Sequence, residues 1–105
     1  FRPDLMAGLL ENLVYLELIH QKFTVYIGKQ NTYEVDFIAK KQDKCVYIQV
    51  CYRFESQDTL QRELRPLQAI KDNYPKYIVT TDGLYSGIFD GIQCVHIADF
   101  LQKDL

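Results

Sequence analysis

The chain has 105 residues, of which 48% are apolar and 25% charged. That fits one globular domain with a single hydrophobic core and excludes a disordered or low-complexity protein. A net charge of −2 excludes a broad basic field of the kind that holds bare nucleic acid through its phosphates. No apolar run reaches the roughly 18–20 residues needed to cross a bilayer, and no signal peptide is visible. The expectation is a cytoplasmic domain without a membrane partner. The sequence opens on Phe1 rather than Met, from which a fragment of a larger protein is expected. Eight Tyr, six Phe and no Trp suit a sheet-rich core. Cys45, Cys51 and Cys94 form no Cys-x-x-Cys pair, which disfavours a disulfide framework or zinc knuckle.

Residues 4–21 predict a helix with Asp4 as its N-cap. Leu5, Leu9, Leu10, Leu13, Val14, Leu16, Leu18 and Ile19 cover most of its circumference, so it should be buried on more than one side. The period then changes to two. Strands are expected over 23–27, 33–39 and 45–52, joined by short turns into an antiparallel meander. The turn at Lys40, Lys41 and Lys44 reads as a solvated hairpin. A second helix is expected over 58–73, opened by Asp58 and Gln61 in a capping-box spacing and disturbed by Pro66. Strands at 76–81 and 92–97 follow, with a glycine-bearing loop over 82–91 between them and a short helix over 99–103. The order is α-β-β-β-α-β-β-α, with the two main helices on opposite faces of a sheet of four or five strands.

Alternation places Tyr33, Val35 and Phe37 on one face of the second strand and Glu34, Asp36 and Ile38 on the other. On the third strand Val46, Ile48, Val50 and Tyr52 share a face, opposite Tyr47, Gln49 and Cys51. Pairing through a turn near residue 42 sets Asp36 opposite Gln49. A carboxylate and an amide side by side on a covered sheet are either a structural hydrogen bond or what is left of a metal site. On the second helix, Glu63 falls inside the apolar stripe of Leu60, Leu67, Ile70 and Tyr74, where a carboxylate needs a partner. Arg62 lies on the far side. Pairing of Cys51 with His96 or His20, or a zinc site from Cys45, Cys51, Cys94 and His96, has no support in the spacing. There is no glycine-rich phosphate loop.

Five segments in order carry a resemblance: Glu11-Asn12-Leu13-Val14-Tyr15-Leu16-Glu17-Leu18, Glu34-Val35-Asp36-Phe37-Ile38, Tyr47-Ile48-Gln49-Val50-Cys51-Tyr52, Thr59-Leu60-Gln61-Arg62-Glu63 and Asp72-Asn73-Tyr74-Pro75-Lys76-Tyr77. Together they resemble the C-terminal domain of unknown function carried by many prokaryotic AAA+-type ATPases. That domain is in turn similar to the PD-(D/E)XK, restriction-endonuclease-like nucleases. The resemblance implies an α/β fold with an α-β-β-β-α-β core plus an extra strand, in a mixed sheet flanked by helices.

The resemblance also places the helix-1 acid of the nuclease pattern at Glu11, its metal-binding Asp at Asp36, and the (D/E)-x-K triplet at Gln49-Val50-Cys51. Metal ligands would be Asp36, Glu11 and Gln49, and the ion Mg²⁺ or Mn²⁺, which favour oxygen donors. Gln49 offers only a neutral oxygen, and Cys51 cannot replace a lysine because it carries no positive charge. Each loss of an electrostatic stabiliser costs about 10²–10³ in rate. Arg53 would be the better substitute cation if the third strand ran that far, ahead of Lys40 or Arg62. The function implied is a nuclease-derived accessory domain without catalysis, acting through Glu11, Asp36, Gln49, Cys51 and Glu63. Its partners would be the rest of the parent ATPase, another protein or nucleic acid. The alternative is a divalent-metal nuclease with a divergent site.

Overall fold

The chain begins with a proline-initiated helix. In a computed structural model describing residues 2–105, α1 spans Pro3–His20, and Arg2 rather than Asp4 is its N-cap residue. Proline's fixed φ and missing N–H suit the first helical position, which starts the helix before Asp4 can cap it. Leu10, Val14 and Leu18 recur every fourth residue and are buried against the sheet. No helix among the described residues is long and apolar enough to cross a membrane.

Three strands follow as the expected meander: β1 (Thr24–Ile27), β2 (Phe37–Lys41) and β3 (Lys44–Cys51). The helix α2 (Gln57–Gln68) then carries the chain across to β4 (Lys76–Thr80), which lies parallel to β3. The strand β6 (Ile92–His96) runs parallel to β4, and β5 (Gly87–Phe89) closes the far edge antiparallel to β6. A short α3 (Ile97–Phe100) ends the fold. The result is an α/β domain built on one mixed sheet of six strands, ordered β1-β2-β3-β4-β6-β5.

The two main helices cover opposite faces. One buried cluster joins α1 to Phe37, Ala39, Val46, Ile48, Val50 and Val79. The other joins Leu60, Leu64 and Leu67 of α2 to Ile38, Tyr47, Cys51, Ile78 and Cys94. Burying each such leucine contributes about 1.5–3 kcal/mol, so the two clusters hold the sheet from both sides.

Four local expectations are corrected. Strand β2 starts at Phe37 rather than at Tyr33: Glu34 adopts φ 59°, outside the extended region, and Val35 and Phe37, expected on one face, fall into different clusters. The cap of α2 is Ser56, whose hydroxyl accepts from the Thr59 N–H, and not Asp58. Pro66 lies in the last turn of α2, which stops at Gln68; Ile70 is still buried but Tyr74 is 46% exposed. The loop over 82–91 contains a strand that was not expected, β5, which brings the sheet to six strands instead of four or five.

Between β1 and β2 the chain doubles back on itself. A methyl group on Gly28 would stand 2.8 Å from the Val35 carbonyl oxygen, and the Gly28 N–H donates to the Asp36 carbonyl at 2.8 Å. Gly28→Ala is expected to push these backbones apart and cost about 1 kcal/mol. Urea unfolding would show this as a lowered midpoint at unchanged slope.

Candidate functional site

The β2–β3 ladder has its last regular pair at Phe37 and Ile48. One step further on, side chains replace backbone in holding the two segments together. The Asp36 N–H donates to Gln49 Oε1 at 2.8 Å, and the Val50 N–H donates to Asp36 Oδ2 at 2.8 Å. With Gly28 on its carbonyl, Asp36 is fastened at three points. Asn31 steadies the same loop by donating from Nδ2 to the Val35 carbonyl. Asp36 and Gln49 meet, as expected, but through the Asp36 backbone N–H; the Asp36 carboxylate itself bonds to the Val50 N–H and not to the Gln49 amide.

Gln49 is 6% exposed, and with Thr80 it is one of two buried polar side chains among the described residues. Its amide works as a bridge: Oε1 accepts from Asp36, and Nε2 donates to Glu63 Oε1 at 3.4 Å. Glu63 reaches the sheet from α2, as its place in the apolar stripe requires. Burial and then the Asp36 charge push its pKa up to about 7, with Arg62 pulling weakly the other way. Asp36 is itself raised by burial, opposed by the Val50 hydrogen bond. Burial first, and Glu63 second, push the Cys51 thiol up to about 12, and the thiol donates to the Arg53 carbonyl at 3.2 Å. Cys51 is therefore neutral at physiological pH, and thiolate chemistry is closed to it.

Asp36, Gln49, Cys51 and Glu63 thus form one group. Glu11 stands apart on the other side of the sheet. It is exposed on α1, in a shallow depression with Tyr15, Ile27 and Phe37. It still senses the group, since burial and then the Asp36 charge raise its pKa. Among the described residues, no three or more His, Cys, Asp or Glu are placed to hold a metal ion together.

The candidate cations lie elsewhere. The third strand ends at Cys51, which leaves Arg53 exposed beside an open cleft of about 1000 Å³ at the carboxyl ends of β3 and β4. Lys40 sits over the Tyr26 ring, and Lys41 and Lys44 donate to the Gln21 and Leu105 carbonyls. His96 Nδ1 accepts from the Ala98 N–H and caps α3.

Two polar groups escaped the sequence reading. Asp82 accepts from the Phe54 and Leu84 N–H groups and so ties the loop after β3 to the end of β4. Tyr47 donates to Asp72 at 2.6 Å, with Lys76 on the same carboxylate. The Asp82-Gly83 pair was a visible turn signal; nothing in the local pattern singles out Asp72.

No protein-family model matches the chain. The chain is similar to a protein of Haemophilus influenzae. That relative, described only as uncharacterised, is 36% identical over 95 residues, which make up 90% of this chain and 23% of the relative. The chain therefore spans about a quarter of the length of the protein it matches.

Proposed function

We propose that the chain is a nuclease-like accessory domain of a longer, cytoplasmic AAA+-type ATPase, without nuclease activity of its own, serving protein or nucleic-acid binding or regulation. The observation that carries this reading is the use made of Gln49 and Cys51. The Gln49 oxygen, which would be a metal ligand in the nuclease pattern, already accepts the Asp36 N–H, and its nitrogen is turned to Glu63. The Cys51 thiol, where the pattern has a lysine, is neutral and bonded to a backbone carbonyl. Mg²⁺ and Mn²⁺ want several hard oxygens free to converge, and one oxygen of Asp36 is committed to Val50. The residues present do not fit a ready-made site for either ion.

The acidic balance favours a protein or intramolecular partner over bare nucleic acid, since a duplex would meet a net charge of −2. The test uses the longer protein with linear and plasmid DNA in Mg²⁺ or Mn²⁺. Cleavage should not exceed that of Asp36→Ala, and deleting the domain should change the ATP hydrolysis rate or partner binding severalfold. Metal-dependent cleavage lost in Asp36→Ala, or a longer protein indifferent to the deletion, would overturn the reading.

One observation favours the alternative of a divergent metal-dependent nuclease. The carboxyls of Glu11 and Glu63 both respond to the charge of Asp36, a repulsion that a divalent cation would relieve. In that reading Asp36 and Glu11 would hold the ion with the Gln49 oxygen, which requires Glu11 to turn in from the α1 face and Gln49 to leave the Asp36 N–H.

A further inference from the structure

The helix α1 is apolar around most of its circumference, yet the domain uses only the side that carries Leu10, Val14 and Leu18. On the outer side Leu5, Leu9, Leu13 and Leu16 are 56%, 52%, 47% and 52% exposed, flanked by Met6 at 37% and Ile19 at 41%. At about 100° per residue these leucines fall within roughly 80° of one another. No charged side chain enters the stripe between Leu5 and Leu16, and the exposed Asn12, about 20° from Leu5, is its one polar member. Half of six large side chains amounts to an open apolar strip on the order of 500 Å², at the upper end of what a monomeric protein leaves to water.

We infer that this outer face of α1 is an interdomain seam, covered by an apolar-striped helix from the part of the longer polypeptide outside these 105 residues. The relative supplies the material, since the matched region is only 23% of its length. The area agrees: with the covering helix's own half, about 1000 Å² would be buried, inside the roughly 600–1500 Å² usual between domains of one chain. The stripe also states what its occupant must be. A charge on the middle turns of the covering helix would be buried against leucine without a partner, so those turns are apolar. A lipid surface is a poor occupant, because α1 carries Asp4, Glu11 and Glu17 and neither Lys nor Arg.

The inference rests on the chain being part of a longer protein; whether that protein is an ATPase is a separate matter. The test is the pair Leu9→Glu with Leu16→Glu, one heptad apart on the outer face. Glutamate is nearly as good a helix former as leucine, and neither leucine belongs to a buried cluster. The isolated 105-residue chain, whose two clusters close within it, should therefore run as a monomer in light scattering, bind an environment-sensitive apolar dye, and keep its unfolding midpoint when both are replaced. The double variant should lose the dye.

In the longer protein the same pair should loosen the domain, so that limited proteolysis releases it at least tenfold faster. An isolated chain that dimerises until the glutamates are introduced would assign the face to a second copy and overturn the inference. So would a longer protein whose proteolysis is unchanged. An ATPase indifferent to deletion of the domain, but sensitive to the two glutamates, would overturn the functional reading and leave this one standing.

Discussion

Replacing Glu63 by glutamine is expected to raise the thermal midpoint at pH 8 and leave it nearly unchanged at pH 5. Burial and the neighbouring Asp36 raise the Glu63 pKa from 4.5 to about 7. The folded state therefore holds a proton that the unfolded chain releases. The associated stability is fully present below pH 4.5, declines as pH rises through 7, and is flat above. Glu63 is only half-buried, and water screens part of the repulsion, so the loss is about 1 kcal/mol. In a domain of this size that corresponds to about 4–6 °C. Glutamine carries no charge to expel, and its carbonyl can still accept the hydrogen bond that Gln49 gives Glu63. Circular dichroism melts from pH 5 to 8 should show the native midpoint falling and the variant's staying level. Parallel slopes in the two proteins would mean that Glu63 ionises freely and is not held in the group.

The group at Gln49 was readable in the sequence because it depends on two regular periods. Strand alternation set Asp36 opposite Gln49, and helical spacing put Glu63 in the buried stripe of α2. Periodicity said nothing of the backbone turn at Glu34, at φ 59°, or of the parting of Val35 and Phe37, expected on one face, into different clusters. The strand β5 was hidden for a different reason. Gly87, Ile88 and Phe89 are too few to show alternation, and Ile88 is 71% exposed. The usable signal was Asp90-Gly91, both at positive φ, the pair that suits a two-residue hairpin turn. Glu11 shows the limit of a motif. The resemblance supplies a residue, but the helix's rotation about its axis decides the direction, and that rotation is fixed by Leu10, Val14 and Leu18. The same rotation leaves the outer leucines of α1 uncovered, against the expectation of burial on more than one side. A sequence can show that a helix has two apolar faces without showing where the second one's partner lies.

Asp36→Ala should cost about 2 kcal/mol at pH 5, whereas Asp36→Asn should leave stability nearly unchanged. Alanine leaves the Val50 N–H, now bonded to Asp36 Oδ2, without an acceptor at the end of a covered ladder, which costs about 1–3 kcal/mol. Asparagine keeps an oxygen for Val50 and discards the charge. At pH 8 both variants also relieve Glu63 of its neighbour's repulsion. The alanine penalty should shrink there, and the asparagine variant should become more stable than the native chain. Carboxyl titration followed by NMR should show the Glu63 midpoint falling in both, while urea midpoints separate them. Equal destabilisation by alanine and asparagine would mean that the Asp36–Val50 bond is not what holds the two strands there. The pair also separates the two functional readings. A structural strut needs an acceptor, so asparagine would keep company with the native protein. A metal ligand needs charge, so asparagine would fall with alanine in Mg²⁺ or Mn²⁺ affinity and in any cleavage. One pair of substitutions thus asks whether the carboxylate is there for its oxygen or for its charge.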